Sequence, residues 1–257
     1  MGYDLKGRAV VLTGGSRGIG LAVARELAAE GARIVLVARN AEKLEDAAAE
    51  LGKTGAEVYA IAGDVGNDAS VREMVDKAAG VLSGIDVFMN IAGITLEKAL
   101  EDATIEDFRR VMDINLLGTV RCTRAVLPWL KQSRGVLVNT ASVIVHQPFP
   151  RLGVYACSKW AVAAYSHTLR QELFGTGVRI LTMYPTVVRT DMVDEEPVLA
   201  KSPSQTPEQC ARAIVRAVRR GRANAGTSLV PALVRPFVLL RPTLADRINR
   251  MFLPPGY

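Results

Sequence analysis

Residues 8–13, Arg-Ala-Val-Val-Leu-Thr, form an apolar run rich in β-branched side chains. It feeds at once into Thr13-Gly14-Gly15-Ser16-Arg17-Gly18-Ile19-Gly20, and residues 18–30 follow with apolar positions at Ile19, Val23, Ala24 and Leu27. Those positions repeat with helical period. A strand that runs through glycines into a helix N-terminus builds an anion site. Glycines permit positive φ and close backbone approach, while free N–H groups and the helix dipole face the anion. The spacing, Gly14-xxx-Gly18-x-Gly20, differs from Gly-x-Gly-x-x-Gly and lacks the Lys-Ser/Thr ending of a triphosphate loop. An ordinary glycine turn is the bland alternative. The strand–turn–helix context favours a nucleotide.

Strand-like and helix-like stretches then alternate. Residues 33–38, 58–63 and 85–90 read as strands, and 41–51 and 70–81 as helices. A long helical stretch over 105–132 follows, then a strand at 135–141, a helix at 154–174 and a strand at 178–184. This is the pattern of strand–helix–strand units around a parallel sheet. Thr104 with Asp107 resembles a capping box, and Thr206, Pro207 and Gln209 mark a helix start for 207–220. No repeat or linker divides the chain, so residues 1–257 are expected to form one domain. The composition agrees: 49% is hydrophobic but only 5% aromatic, which suits buried strands under small-residue helices.

The net charge of +6 is spread along the chain, which fits a solvated surface or a phosphate-bearing cofactor better than nucleic acid. Cys122, Cys157 and Cys210 are odd in number and show no metal spacing. Reduced thiols, no metal and a reducing, cytoplasmic setting are expected. Residues 1–8 have no apolar core of a signal peptide, and no apolar run reaches the length of a spanning helix.

The second strand ends in Ala38-Arg39-Asn40. An acid there would bind a ribose 2′-hydroxyl. Here Arg39, Arg17 in the glycine turn and Lys43 one turn on supply three cations, which suit a 2′-phosphate. Solvated charges at a helix start are the alternative for Arg39 and Lys43. Tyr155 and Lys159 lie four apart on one helix face. A nearby ammonium favours the phenolate, so the pair can act as an acid–base group; taken alone, a surface pair explains the spacing equally well. Ser142 closes a strand, where sites gather in parallel sheets, and could orient a carbonyl or merely make a turn. Asn115 sits inside the 105–132 stretch, where Asn is a poor helix former. It either points to solvent or bends the helix and holds a water.

These elements, in this order, resemble the short-chain dehydrogenase/reductase family. The match rests on Thr13-Gly14-xxx-Gly18-Ile19-Gly20, Asp64-Val65, Asn90-xx-Gly93, Asn115, Ser142 and Tyr155-xxx-Lys159, and spans residues 8–190. The resemblance implies an α/β fold, a Rossmann-type doubly wound parallel sheet flanked by helices on both faces. It implies that Tyr155 carries the proton, Lys159 lowers its pKa and holds the nicotinamide ribose, Ser142 orients the reacting oxygen and Asn115 holds a relay water. The implied NADP(H) site comprises Gly14, Ser16, Arg17, Gly18, Ile19, Arg39 and Lys43 at the phosphates. Asp64 and Val65 flank the adenine. Asn90, Ala92 and Gly93 line the middle, and Pro185, Val188 and Thr190 lie by the carboxamide. The usual Asn-Asn-Ala-Gly appears as Asn90-Ile91-Ala92-Gly93, and the usual Pro-Gly as Pro185-Thr186. Residues 36–43, 125–128 and 213–216 are similar to ketosphinganine reductases and related long-chain carbonyl reductases.

Substrate contacts are expected from loops 143–152 and 186–206, through Val143, Ile144, Phe149, Leu152, Thr186 and Met192. Their apolar character favours a hydrophobic ketone or alcohol. His146 in the first loop is either a gate or packing, and Asp194-Glu195-Glu196 a solvated lid face. The tail, 228–257, mixes apolar residues with arginines. It packs over the cleft, packs against a second subunit or rests peripherally on a membrane. Apolar residues on the helices bearing Asn115 and Tyr155 suggest a homodimer or homotetramer. Three activities fit: a carbonyl reductase for an apolar, perhaps 3-keto long-chain or ketoacyl, substrate; an alcohol or steroid dehydrogenase running oxidatively; and an idle dinucleotide-binding regulatory subunit.

Overall fold

The structure, a computed structural model, describes residues 2–146, 149–194 and 204–227, together with Leu240, Arg241, Thr243, Leu244, Asp246 and Arg247. The elements, in chain order, are β1 (Ala9–Thr13), α1 (Gly18–Ala29), β2 (Arg33–Ala38), α2 (Ala41–Gly52), β3 (Val58–Ala62), α3 (Asp68–Leu82) and β4 (Val87–Asn90). After β4 come α4 (Ile105–Met112), a π-helical turn (Asp113–Leu117), α5 (Gly118–Ser133), β5 (Val136–Thr140), a 3-10 turn (Val143–Val145), α6 (Gly153–Glu172) and β6 (Arg179–Tyr184). A short helix α7 (Asp191–Asp194), then α8 (Pro207–Arg219) and β7 (Asn224–Gly226) complete the described part.

The strands form one parallel sheet of seven in the order β3-β2-β1-β4-β5-β6-β7. Alternate strand residues supply two cores. Val10, Leu12, Ile34, Leu36, Val138 and Met183 meet α1, α2 and α8 on one face. Val11, Val35, Val37, Phe88, Leu137 and Ile180 meet α3, α5 and α6 on the other. Both faces are covered, so the central strands read as apolar runs, not as alternations. Each such side chain contributes about 1.5–3 kcal/mol on burial. The architecture is the Rossmann-like doubly wound sheet.

The strand order reverses between β1 and β4. Ligands bind at that point, beyond the carboxyl ends of the strands. The glycine turn leaves β1 there and the Asn90–Gly93 stretch leaves β4.

Two features differ from the sequence reading. The stretch 105–132 is one continuous path, but a π turn at Asp113–Leu117 interrupts it. β7 had no forerunner in the sequence reading: Asn224–Gly226 is short, carries no β-branched residue and pairs only with β6. The expected tail packing falls largely on residues outside those described; Leu240 and Leu244 are exposed. No helix among the described residues is long and apolar enough to cross a membrane.

Candidate active site

The nucleotide half is a cleft of about 360 Å³ at the switch point. Its glycines are required by contact. Gly14 has φ +75°, and a Cβ there would lie 3.1 Å from Ala92 N and Cα. A Cβ on Gly20 would fall 2.0 Å from Gly14 O, so α1 can seat against the turn only with glycine at that position. Helix α1 has no side-chain cap at its N-cap, Arg17, which leaves its first-turn amides to an anion. Thr13 Oγ1 accepts from the N–H groups of Ile91 and Ala92, both at 3.1 Å, and ties the two loops together.

Most of the expected cofactor residues meet in this cleft: Gly14, Ser16, Arg17, Gly18, Ile19, Arg39, Lys43, Asp64, Val65, Ala92, Gly93 and Thr190. Asp64 is held in place by the Gly66 amide, 2.9 Å from its Oδ1. Asn40 caps α2 by accepting from Lys43 N at 2.8 Å. These residues fit a dinucleotide: a close-approach glycine turn, uncapped helix amides and cations beside Ala38 instead of an acid.

Three expected cofactor residues do not line this nucleotide half. Asn90 is 4% exposed and its Nδ2 donates to Asn139 Oδ1 at 2.9 Å, beneath the cleft floor. Its amide braces the sheet where the sequence reading set it along the middle of the cofactor. Val188 is buried and bridges Gln205, and the Pro185 carbonyl accepts from Val143 N at 3.0 Å. Neither lines the nucleotide half, and both were expected at the carboxamide end.

The chemical half adjoins at Gly93. A Cβ there would meet Asn115 Oδ1 at 3.1 Å and Lys159 Nζ at 3.5 Å. Tyr155 and Lys159 stand on α6. The Tyr155 hydroxyl is hydrogen-bonded to Ser142, just past β5. Lys159 Nζ lies 5.7 Å from the Tyr155 ring centroid and donates to Thr140 O at 2.8 Å. Burial pushes the Tyr155 phenol up to about 12, against the pull of the Ser142 bond. Burial likewise pushes Lys159 down to about 8. In the chain alone Tyr155 therefore holds its proton at neutral pH, as a donor to a carbonyl must.

Asn115 occupies the π turn and its side chain makes three hydrogen bonds. Its Oδ1 accepts from Ile94 N at 2.8 Å, and its Nδ2 donates to Ile94 O and Ser158 Oγ, each at 2.9 Å. Its main-chain carbonyl accepts from Thr119 Oγ1 at 2.8 Å.

The expected substrate residues divide. Val143 and Phe149 are half-buried and pack against the same apolar cluster as Tyr155. Ile144 and Leu152 are 3% and 1% exposed and serve as packing under the loop. Thr186 N donates to Thr227 Oγ1 at 2.9 Å, and Met192 lines the nucleotide cleft. His146 stacks on Tyr184 with centroids 5.1 Å apart. Glu195 and Glu196 fall outside the described residues. The sequence reading missed Ile94, Ile114 and Asp191, which shape the cleft. Cys122 and Cys210 are buried, each thiol pushed up to about 12. No cluster of His, Cys, Asp or Glu able to hold a metal occurs among the described residues.

Fold and cleft together define a dinucleotide-binding protein of the Rossmann type. The chain belongs to the short-chain dehydrogenase family, whose description "short chain dehydrogenase" matches residues 8–198. It is similar to the ketoacyl reductase HetN of Nostoc sp., at 32% identity over 96% of this chain and 90% of that protein. An alcohol dehydrogenase from Thermococcus sibiricus, solved with 5-hydroxy-NADP, is 31% identical with a TM-score of 0.78, covering 86% of this chain and 96% of that one. A short-chain dehydrogenase/reductase from Burkholderia phymatum, solved with NAD, is 25% identical with a TM-score of 0.86, covering 94% and 95%. The chain is an oxidoreductase of this family.

Proposed function

We propose that this oxidoreductase uses NADP(H) to interconvert a carbonyl and a secondary alcohol on an apolar substrate. The hydroxyl pair of Tyr155 and Ser142, with Lys159 behind the tyrosine ring, carries this reading. The cofactor supplies or takes the hydride. Tyr155 gives its proton to the reacting oxygen, Ser142 aligns that oxygen, and Lys159 holds the nicotinamide ribose. Asn115 holds the loop at Ile94 and a relay water.

The choice of NADP(H) is supported by Arg17, Arg39 and Lys43 in one cleft, with Ala38 where an acid would favour NAD. Relatives solved with either cofactor leave the choice to these side chains. The apolar substrate is supported by Val143 and Phe149, which pack against the same apolar cluster as Tyr155. The likeness to a ketoacyl reductase points to a ketoacyl or 3-keto long-chain compound. Steroid and simple alcohol oxidation is the same chemistry reversed, its direction set by the cofactor ratio.

The test is NADPH consumption against long-chain ketones, ketoacyl thioesters, steroids and aryl ketones. One of the apolar ketones turns over, and Tyr155→Phe abolishes that turnover while NADPH affinity stays within about twofold, since a single hydroxyl is lost and Lys159 is kept. Binding without turnover of any ketone by the wild type would return the chain to the regulatory reading.

A further inference from the structure

Arg17 has a partner that the reading above does not use. Its NH1 lies 2.7 Å from Asp191 Oδ2. Asp191 opens α7 after β6, far from the glycine turn in sequence. Both residues line the nucleotide cleft along with Arg39 and Lys43. The Arg17 hydrogen bond holds the Asp191 carboxyl below its usual range, and the Lys43 charge adds to this. A carboxylate of the chain itself thus sits within the cation cluster assigned to the 2′-phosphate.

We propose that Asp191 is an internal competitor for that phosphate. It pairs with Arg17 in the free protein and is displaced when a 2′-phosphate enters. The inference rests on the NADP(H) reading of the cleft. The side chains of Arg17 and Asp191 are 56% and 64% exposed, so parting them costs little and leaves Asp191 in water. A phosphate monoester carries about −1.5 to −2 charge at neutral pH and three strong acceptor oxygens, more than one carboxylate offers. It therefore wins Arg17.

The displacement also reaches the substrate side. Asp191 is flanked by Thr190 and Met192, and a Cβ on Gly18 would meet Thr190 Cγ2 at 3.1 Å. The Arg17–Asp191 pair draws this segment onto the glycine turn. NADPH releases the pair and NADH leaves it in place, so the nature of the cofactor is passed to the segment that borders both halves of the site.

The experiment is fluorescence titration of NADPH and NADH with wild type, Asp191→Asn, Asp191→Glu, Arg17→Ala and the Arg17→Ala/Asp191→Asn double variant. Asp191→Asn is expected to bind NADPH about two- to fivefold tighter, the worth of an exposed ion pair. NADH affinity is unchanged, Asp191→Glu stays near wild type, and the gain disappears in the Arg17→Ala background. Unchanged NADPH affinity in Asp191→Asn overturns the competitor, as does an equal gain with Arg17 absent. Weaker binding of both cofactors would make the pair a clamp and overturn it as well. Equal wild-type affinity for NADPH and NADH, with Arg17→Ala affecting neither, is a different failure and removes the NADP(H) reading itself.

Discussion

Lys159 ties the chemistry to a measurable stability. The side chain is 5% exposed, and burial lowers its pKa from 10.5 to about 8. The unfolded chain keeps this proton up to about pH 10.5, while the folded chain releases it near 8. Between those values the unfolded state binds more protons, so stability rises with pH. The difference, 10.5 minus about 8, corresponds to at most about 3 kcal/mol. The true figure is smaller, because the Thr140 carbonyl, 2.8 Å away, favours the ammonium. Lys159→Met keeps the length and removes the charge. It strands the Thr140 carbonyl at a cost of about 1–3 kcal/mol, the same at every pH. Urea unfolding of both proteins without cofactor, at pH values from about 7 to about 10, gives a difference in which other titrations cancel. The wild type gains on the variant by about 1–3 kcal/mol across that range. A difference flat to within about 0.5 kcal/mol, the error of such extrapolations, would show that burial does not disfavour this ammonium.

Other expectations follow from the same contacts. Arg39→Ala should cut NADPH affinity about ten- to a hundredfold, one charge-assisted bond, and leave NADH alone, as read by titration. Thr13→Val removes the acceptor for two backbone amides and should lower stability by about 2 kcal/mol with weaker cofactor binding, while Thr13→Ser recovers most of both. Leu117 on the π turn and Trp160 on α6 are 44% and 40% exposed, and a dimer or tetramer that covers them should appear in sedimentation at micromolar concentration.

Much of the frame was legible because it is written locally. β1, the glycine turn and α1 follow from an apolar run, glycines and a helical period. Thr104 and Thr206 announce their helices, and both form full capping boxes. What escaped depends on distant partners. The π turn at Asp113–Leu117 is held by the Asn115 side chain on Ile94 and Ser158, partners distant in sequence, and Asn115 was its trace in the sequence. β7 is held by β6 and not by its own sequence. Asn90 was set at the cofactor by the family resemblance; its amide meets Asn139, which in turn meets Ser166 Oγ at 2.9 Å. Nothing near Asn90 in the chain signals either partner. Ile144 and Leu152 were legible as apolar but not as buried; the pattern cannot distinguish a loop's packing side from its open side. Asp191 and Arg17 meet only because α7 folds back over the turn.

The position of Tyr155 rests on how α6 docks. An apolar interface alone tolerates sliding, because one hydrophobic contact replaces another at small cost. Along α6, Ser158, Val162 and Ser166 repeat every four residues and all are buried. Ser158 Oγ accepts from Asn115 and donates to Tyr155 O at 2.7 Å, while Ser166 Oγ accepts from Asn139 and donates to Val162 O at 2.7 Å. Between them Lys159 reaches the Thr140 carbonyl. A shift of α6 by one turn would strand several buried polar groups, each costing about 1–3 kcal/mol. These bonds therefore set the register of α6 on β5. β5 ends at Thr140, and Ser142 follows two residues on. The strand that anchors Lys159 thus also presents Ser142, so the hydroxyls of Tyr155 and Ser142, proposed to face the substrate, are aligned by one helix–strand contact.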